Sequence, residues 1–160
     1  MSNPPKETLS QRAERLSERY HLFQGGFDSE CINRKGDLTK VISQILSELL
    51  PEEKFTISET VSNDGRQYVA DVTHSSGTTI KLFADTFADY LPEGFSVLLE
   101  SIPMRIGSQK RFYMMNPRLM GQEVWYFSGD QKQIEQARKE GLPLIASEED
   151  FMEMDISEFE

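Results

Sequence analysis

The clearest periodicity in the chain lies between Asp37 and Leu50, DLTKVISQILSELL. Leu38, Val41, Ile42, Ile45, Leu46, Leu49 and Leu50 recur at helical spacing and form a single apolar stripe. Asp37 after Gly36 reads as an N-cap, and Pro51 stops the helix because proline brings no N–H and clashes with the preceding turn. A helix this short is marginal alone in water, so it needs a surface to lie on. The segments from Phe55 onward supply one. KFTISETVS alternates, with Phe55, Ile57 and Val61 on one face. Asn63-Asp64-Gly65 turns the chain into RQYVADVTH, where Tyr68, Ala70 and Val72 point inward. Ser75-Ser76-Gly77 turns it again into TTIKLFA, with Ile80 and Leu82 sharing a face. Strands apolar on one side only belong to a sheet with one face on a helix and the other in water.

The remaining pattern is less regular. Residues 1–7 hold Pro4-Pro5 and no apolar anchor, and read as a disordered start. A short helix is expected from Thr8 to Tyr20, and residues 21–36, punctuated by glycine, read as loop. Asp85 to Tyr90 is a link, and Phe95 to Ile106 reads as a strand interrupted at Pro103. RFYMM and EVWYF are the last two strands. Phe112 and Met114 oppose Tyr113 and Met115, and Val124 and Tyr126 oppose Trp125 and Phe127, so both faces are apolar and both need cover. Ser128-Gly129-Asp130 introduces a helix over DQKQIEQARKEG that ends at Gly141. Ser147 and Asp150 resemble a further capping box. The expected fold is α+β. One long amphipathic helix packs on an antiparallel meander of five or six strands, with short helices near both termini. A single domain is expected over 8–146, with 147–160 an acidic tail or a short docked helix.

Charge changes this picture in one respect. The net charge is −10, but seven of the 27 acids lie between Ser147 and Glu160, leaving 20 acids against 17 bases elsewhere. The body is close to neutral, which argues against a nucleic-acid partner, since phosphate binding needs clustered Lys and Arg. Within the body the interval from Glu100 to Glu123 contains no acid, while Arg105, Lys110, Arg111 and Arg118 sit there with Phe112 and Tyr113. That interval reads as a solvated hairpin, as a dock for the acidic tail or a protein partner, or as an anion surface. No apolar run approaches the length that spans a bilayer, and the N-terminus lacks the basic start and apolar core of a signal peptide. One cysteine, Cys31, excludes an internal disulfide. A cytoplasmic protein is the expectation.

No catalytic motif stands out: there is no G-x-S-x-G, no Walker-type loop, no H-E-x-x-H and no C-x-x-C. His21, His74 and Cys31 have no metal-ligand spacing, and neither a metal nor a cofactor is expected. Asp28, Glu30 and Asp37 near Cys31 raise rather than lower its pKa, so it is not expected to be a nucleophile. Aromatic residues, Met and Arg are enriched at interface cores, and the two-sided last strands carry them. The expected function is therefore a non-catalytic protein-binding module of inhibitor, immunity-protein or adaptor type. Its expected partner-binding residues are Arg105, Lys110, Arg111, Tyr113, Met115, Trp125, Phe127, Glu149, Asp150 and Phe151. The alternative is a small-molecule binder or enzyme with a pocket between the long helix and a curved sheet, using Tyr68, Asp71 or His74. A weak nucleic-acid or anion site over residues 105–118 comes third.

Overall fold

A computed structural model describes residues 6–28, 30–88, 92, 94–119, 123–147, 149–150 and 154. The fold is α+β, in two antiparallel sheets. Helix α1 (Leu9–Tyr20) opens with Thr8 as N-cap in a reciprocal capping box with Gln11. Strand β1 (Phe23–Asp28) and helix α2 (Asp37–Leu49) follow. Strands β2 (Phe55–Val61), β3 (Gln67–His74) and β4 (Thr79–Asp85) form the three-stranded sheet in that order. Helices α3 (Gly94–Glu100) and α4 (Ile102–Arg105) lead into β5 (Lys110–Met115). A 3-10 turn (Pro117–Leu119), strand β6 (Glu123–Asp130), helix α5 (Gln131–Lys139) and strand β7 (Leu144–Ile145) complete the described elements. The second sheet has the order β1-β6-β5-β7.

The single meander is thus corrected to two sheets, and two misread segments account for the difference. Residues 95–106 are helical because Phe95, Leu99 and Ile102 recur at helical spacing and all three are buried. Pro103 lies in the first turn of α4, where its missing N–H costs nothing. Residues 21–36 contain a strand despite Gly25-Gly26. A Cβ at Gly25 would stand 2.4 Å from the Tyr126 ring, and one at Gly26 would stand 3.3 Å from Trp125. The glycines of β1 therefore make room for aromatics reaching across from β6.

Sheet β1-β6-β5-β7 is the wall between two cores. Phe112, Met114 and Tyr126 face a large core shared with α2, α3 and the inner face of β2-β3-β4. Met115 and Phe127 face a smaller one with Ala13 and Leu16 of α1 and Ile134 and Ala137 of α5. The two-sided apolar pattern of the last strands is answered by the chain's own helices.

Helix α2 buries the predicted stripe, Leu38 through Leu49, but its N-terminus is built differently. Gly36 is the N-cap, in the left-handed region at φ 103°, and offers no side chain. Asp37 instead accepts the N–H groups of Asn33 (2.9 Å) and Arg34 (3.1 Å), which holds its carboxyl below the ordinary range. The cap comes from β2. Glu59 accepts from Gly36 N–H at 2.5 Å, Thr39 N–H at 2.8 Å and Thr39 Oγ1 at 2.7 Å. A carboxylate there satisfies donors left over at the first turn and complements the helix dipole. Because Glu59 sits on the inward side of β2, the alternation does not run apolar to its end, and Val61 is exposed.

Two stability predictions follow from this architecture. Glu59→Ala should destabilise by about 2–3 kcal/mol, since several donors at the α2 terminus lose a charged acceptor; urea denaturation measures it. Gly25→Ala should cost about 1–3 kcal/mol through forced displacement of Tyr126, read as a lower melting temperature with loss of the near-ultraviolet tyrosine signal.

Candidate partner-binding surface

The predicted partner-binding residues separate into three groups. Met115 and Phe127 are fully buried between sheet and helices, so they are core. Trp125 and Tyr113 are half-buried at the margin of the same cluster. Arg105 ends α4 on the surface, and Glu149 is exposed. Lys110 and Arg111 are half-buried at the start of β5. Phe151 lies outside the described residues.

Tyr113 and Asp150 are brought together by a residue the sequence reading passed over, Arg138 of α5. Its guanidinium lies 5.1 Å over the Tyr113 ring. One nitrogen donates to Glu135 and the other to Asp150, each at 3.0 Å. Tyr113 Oη donates to Glu135 at 2.9 Å, and burial followed by the Glu135 bond pushes that phenol up to about 12. Asp150 also accepts the Ala146 N–H at 2.8 Å. Farther along, Arg118 donates to the Met154 carbonyl at 3.0 Å. The described part of the acidic segment is held against the body at both points. The only cue in the sequence was the Glu135/Arg138 spacing on the α5 surface, which is common on solvated helices.

Behind this network lies Glu100, 6% exposed. Its Oε1 accepts the Met114 N–H at 2.7 Å, and its Oε2 has no partner among the described residues. The side chain takes this N–H on the side of β5 that faces β7, beside the pairing of Met114 with Ile145. Desolvation drives its pKa well above the carboxylate range. The Met114 bond and the Arg138 charge pull it back, and Asp150 adds to the rise.

Of the four cations in the acid-free interval, three are engaged within the chain. Lys110 pairs with Glu52 at 3.1 Å, Arg111 donates to the carbonyls of Ser108 and Lys110 at 2.7 Å each, and Arg118 holds Met154. Arg105 has neither an ion pair nor a side-chain hydrogen bond among the described residues. Beside it Met104 is 66% exposed.

The residues set aside for the alternative reading lie elsewhere. His74 donates from Nε2 to Glu53 at 2.6 Å, and its Nδ1 accepts the Ser76 N–H at 3.2 Å with Ser76 Oγ at 2.8 Å. A backbone N–H only donates, so Nδ1 is the accepting nitrogen in this contact. The bonding order is that of a serine–histidine–carboxylate relay. However, the ring is buried against Phe55, 5.2 Å away, at the last residue of β3 before the turn to β4. Asp71 is on the outer face with Lys81. The space between α2 and the sheet is filled by side chains. An open groove of about 250 Å³ lies instead at the β4 edge, lined by Gln67, Phe83, Ala84, Asp85, Phe95 and Leu98 among others.

No protein-family model, curated protein or solved structure matches the chain. Chemistry therefore has to be read from the residues alone. Among the described residues no group of three or more His, Cys, Asp or Glu could hold a metal ion. Cys31 is half-buried, with its thiol pushed up to about 11 mainly by desolvation and further by Asp28 and Asp37. No helix among the described residues is long and apolar enough to cross a membrane.

The buried carboxyl makes a pH prediction. Below the unfolded value near 4.5 Glu100 is protonated in both states and contributes no slope. Above it the folded state alone keeps the proton, so stability falls as pH rises toward the folded value, by up to about 1.4 kcal/mol per pH unit. Glu100→Gln retains an acceptor for Met114 and should remove this slope. Urea denaturation of both proteins from weakly acidic to weakly alkaline pH should show the variant gaining on the wild type as pH rises.

Proposed function

We propose that this protein is a non-catalytic protein-binding module of the inhibitor, immunity-protein or adaptor kind, and that it meets its partner at the end of α4. The observation that carries this reading is the pair Met104 and Arg105, the first 66% exposed and the second exposed and without an ion pair among the described residues. Methionine and arginine are residue types enriched in interface cores. The acid-free stretch around them favours an acidic partner surface, approached with electrostatic steering. With Met115 and Phe127 buried, the aromatic sheet face supplies at most the rim residues Tyr113 and Trp125. Engagement of Lys110, Arg111 and Arg118 within the chain weighs against phosphate binding.

The groove at β4 favours a second reading, a small-molecule binder. Its volume lies below the roughly 300–1,000 Å³ of drug-sized ligand pockets.

Affinity capture with the tagged full chain, read by mass spectrometry, tests the first reading. A stoichiometric protein partner should be recovered, and Met104→Ser/Arg105→Glu should abolish its recovery while changing folding stability by no more than about 0.5 kcal/mol. Absence of any partner, with a ligand-dependent rise in melting temperature, would replace it by the second.

A further inference from the structure

Strand β4 is an edge of its sheet, and its hydrogen-bonding phase can be worked out. His74 N–H bonds Thr78 O, and Thr86 N–H bonds Arg66 O. With the register running from Gln67↔Asp85 to Thr73↔Thr79, Ile80, Leu82 and Ala84 exchange bonds with β3. Thr79, Lys81, Phe83 and Asp85 therefore aim their N–H and C=O groups away from it. None of these four has a backbone partner among the described residues. Their side chains share the outer face, while Ile80, Leu82 and Ala84 are buried beneath. The groove opens beside Phe83 and Asp85, and Phe87, just past the strand, is 79% exposed.

An open row of this kind is a template for another strand, and a lysine on it ordinarily acts as a guard. Here the guard is answered within the same strand. Lys81 and Asp85 stand symmetrically on either side of Phe83, so a strand carrying base, apolar residue and acid at alternate positions complements this edge when laid antiparallel. The sequence KLFAD of β4 is itself such a strand.

We propose that β4 pairs antiparallel with β4 of a second copy, about a two-fold axis at Phe83. Lys81 then faces the partner's Asp85, Asp85 faces the partner's Lys81, and Phe83 lies against the partner's Phe83. The exposed Phe87 falls opposite the partner's Thr79. Each facing pair from 81 to 85 exchanges both of its backbone bonds, and facing side chains share one face of a continuous sheet. The interface is self-complementary, as two-fold symmetry requires. An axis at Leu82 sets Lys81 against the partner's Phe83 and Asp85 against the partner's Thr79. An axis at Ala84 sets Asp85 against the partner's Phe83. Of these registers, the one centred on Phe83 pairs opposite charges. Lys81 is already drawn along this face by Asp71, 3.4 Å away on β3.

Sedimentation equilibrium of the full chain across the micromolar to millimolar range tests the pairing. The wild type should reach dimer mass. Lys81→Asp and Asp85→Lys each place like charges opposite one another and should weaken association at least tenfold. The double variant K81D/D85K should restore it, and an equimolar mixture of the two single variants should form a mixed dimer. That rescue cannot arise from misfolding, and thermal melts of each variant confirm the fold. A wild type that stays monomeric throughout overturns the proposal, as does association that the single reversals leave unchanged. Neither result bears on capture of a different protein through Met104 and Arg105, which uses other residues.

Discussion

Strands β5 and β6 carry large apolar side chains on both faces, and neither face is left to water. That requirement organises the molecule. It calls for two layers of cover, one from α2 and α3 with the three-stranded sheet behind them, the other from α1 and α5. It explains why elements from the two ends of the chain meet, since α1 and α5 cover the same side of one wall. A surface buried on both faces stabilises in proportion to the area withdrawn from water. Loss of either helical layer would leave Phe127 and Met115, or Phe112 and Tyr126, uncovered.

The polar side of the architecture depends on carboxylates doing work that backbone does elsewhere. Glu59 terminates α2 from a neighbouring strand, in place of a local cap. Glu100 takes the Met114 N–H beside the two-residue strand β7. Glu48 accepts from the Tyr126 hydroxyl, holding a phenol that burial has already made harder to ionise. Each satisfies a donor that would otherwise be stranded, and Glu100 does so at the cost of bringing a charge or a proton inside. Glu100 shows the cost most clearly, with one oxygen satisfied and the other alone.

These substitutions also shape the surface. Among the described residues the outward backbone groups of β4 have no such carboxylate or strand bonded to them, although α3 packs beside the strand. The end of α4 leaves a methionine and an arginine in water while the cations around them are engaged. Neither feature is part of the aromatic strands to which composition alone points. An amphipathic strand cannot announce whether its second face meets a partner or its own chain.

Much of the local structure was legible because it depends on short-range rules. The stripe of α2, the alternation of β3 and β4, the turns at Gly65 and Gly77 and the opposed faces of β5 and β6 follow from periodicity and turn chemistry. The candidate surface was legible only in part: Arg105 was visible as a cation in an acid-free stretch, but not that its neighbours would be engaged and it would not. Three things were decided by tertiary structure. Glycines 25 and 26 belong to a strand because Tyr126 and Trp125 arrive from a hundred residues away. The segment from Phe95 is helical because its apolar side chains have a core to enter at helical spacing, which outweighs their strand propensity. The cap of α2 comes from Glu59 because β2 passes its N-terminus. The physical reason is common to all three: a dihedral preference or a period is a property of neighbours along the chain, whereas burial and hydrogen-bond satisfaction belong to whichever groups the fold brings together.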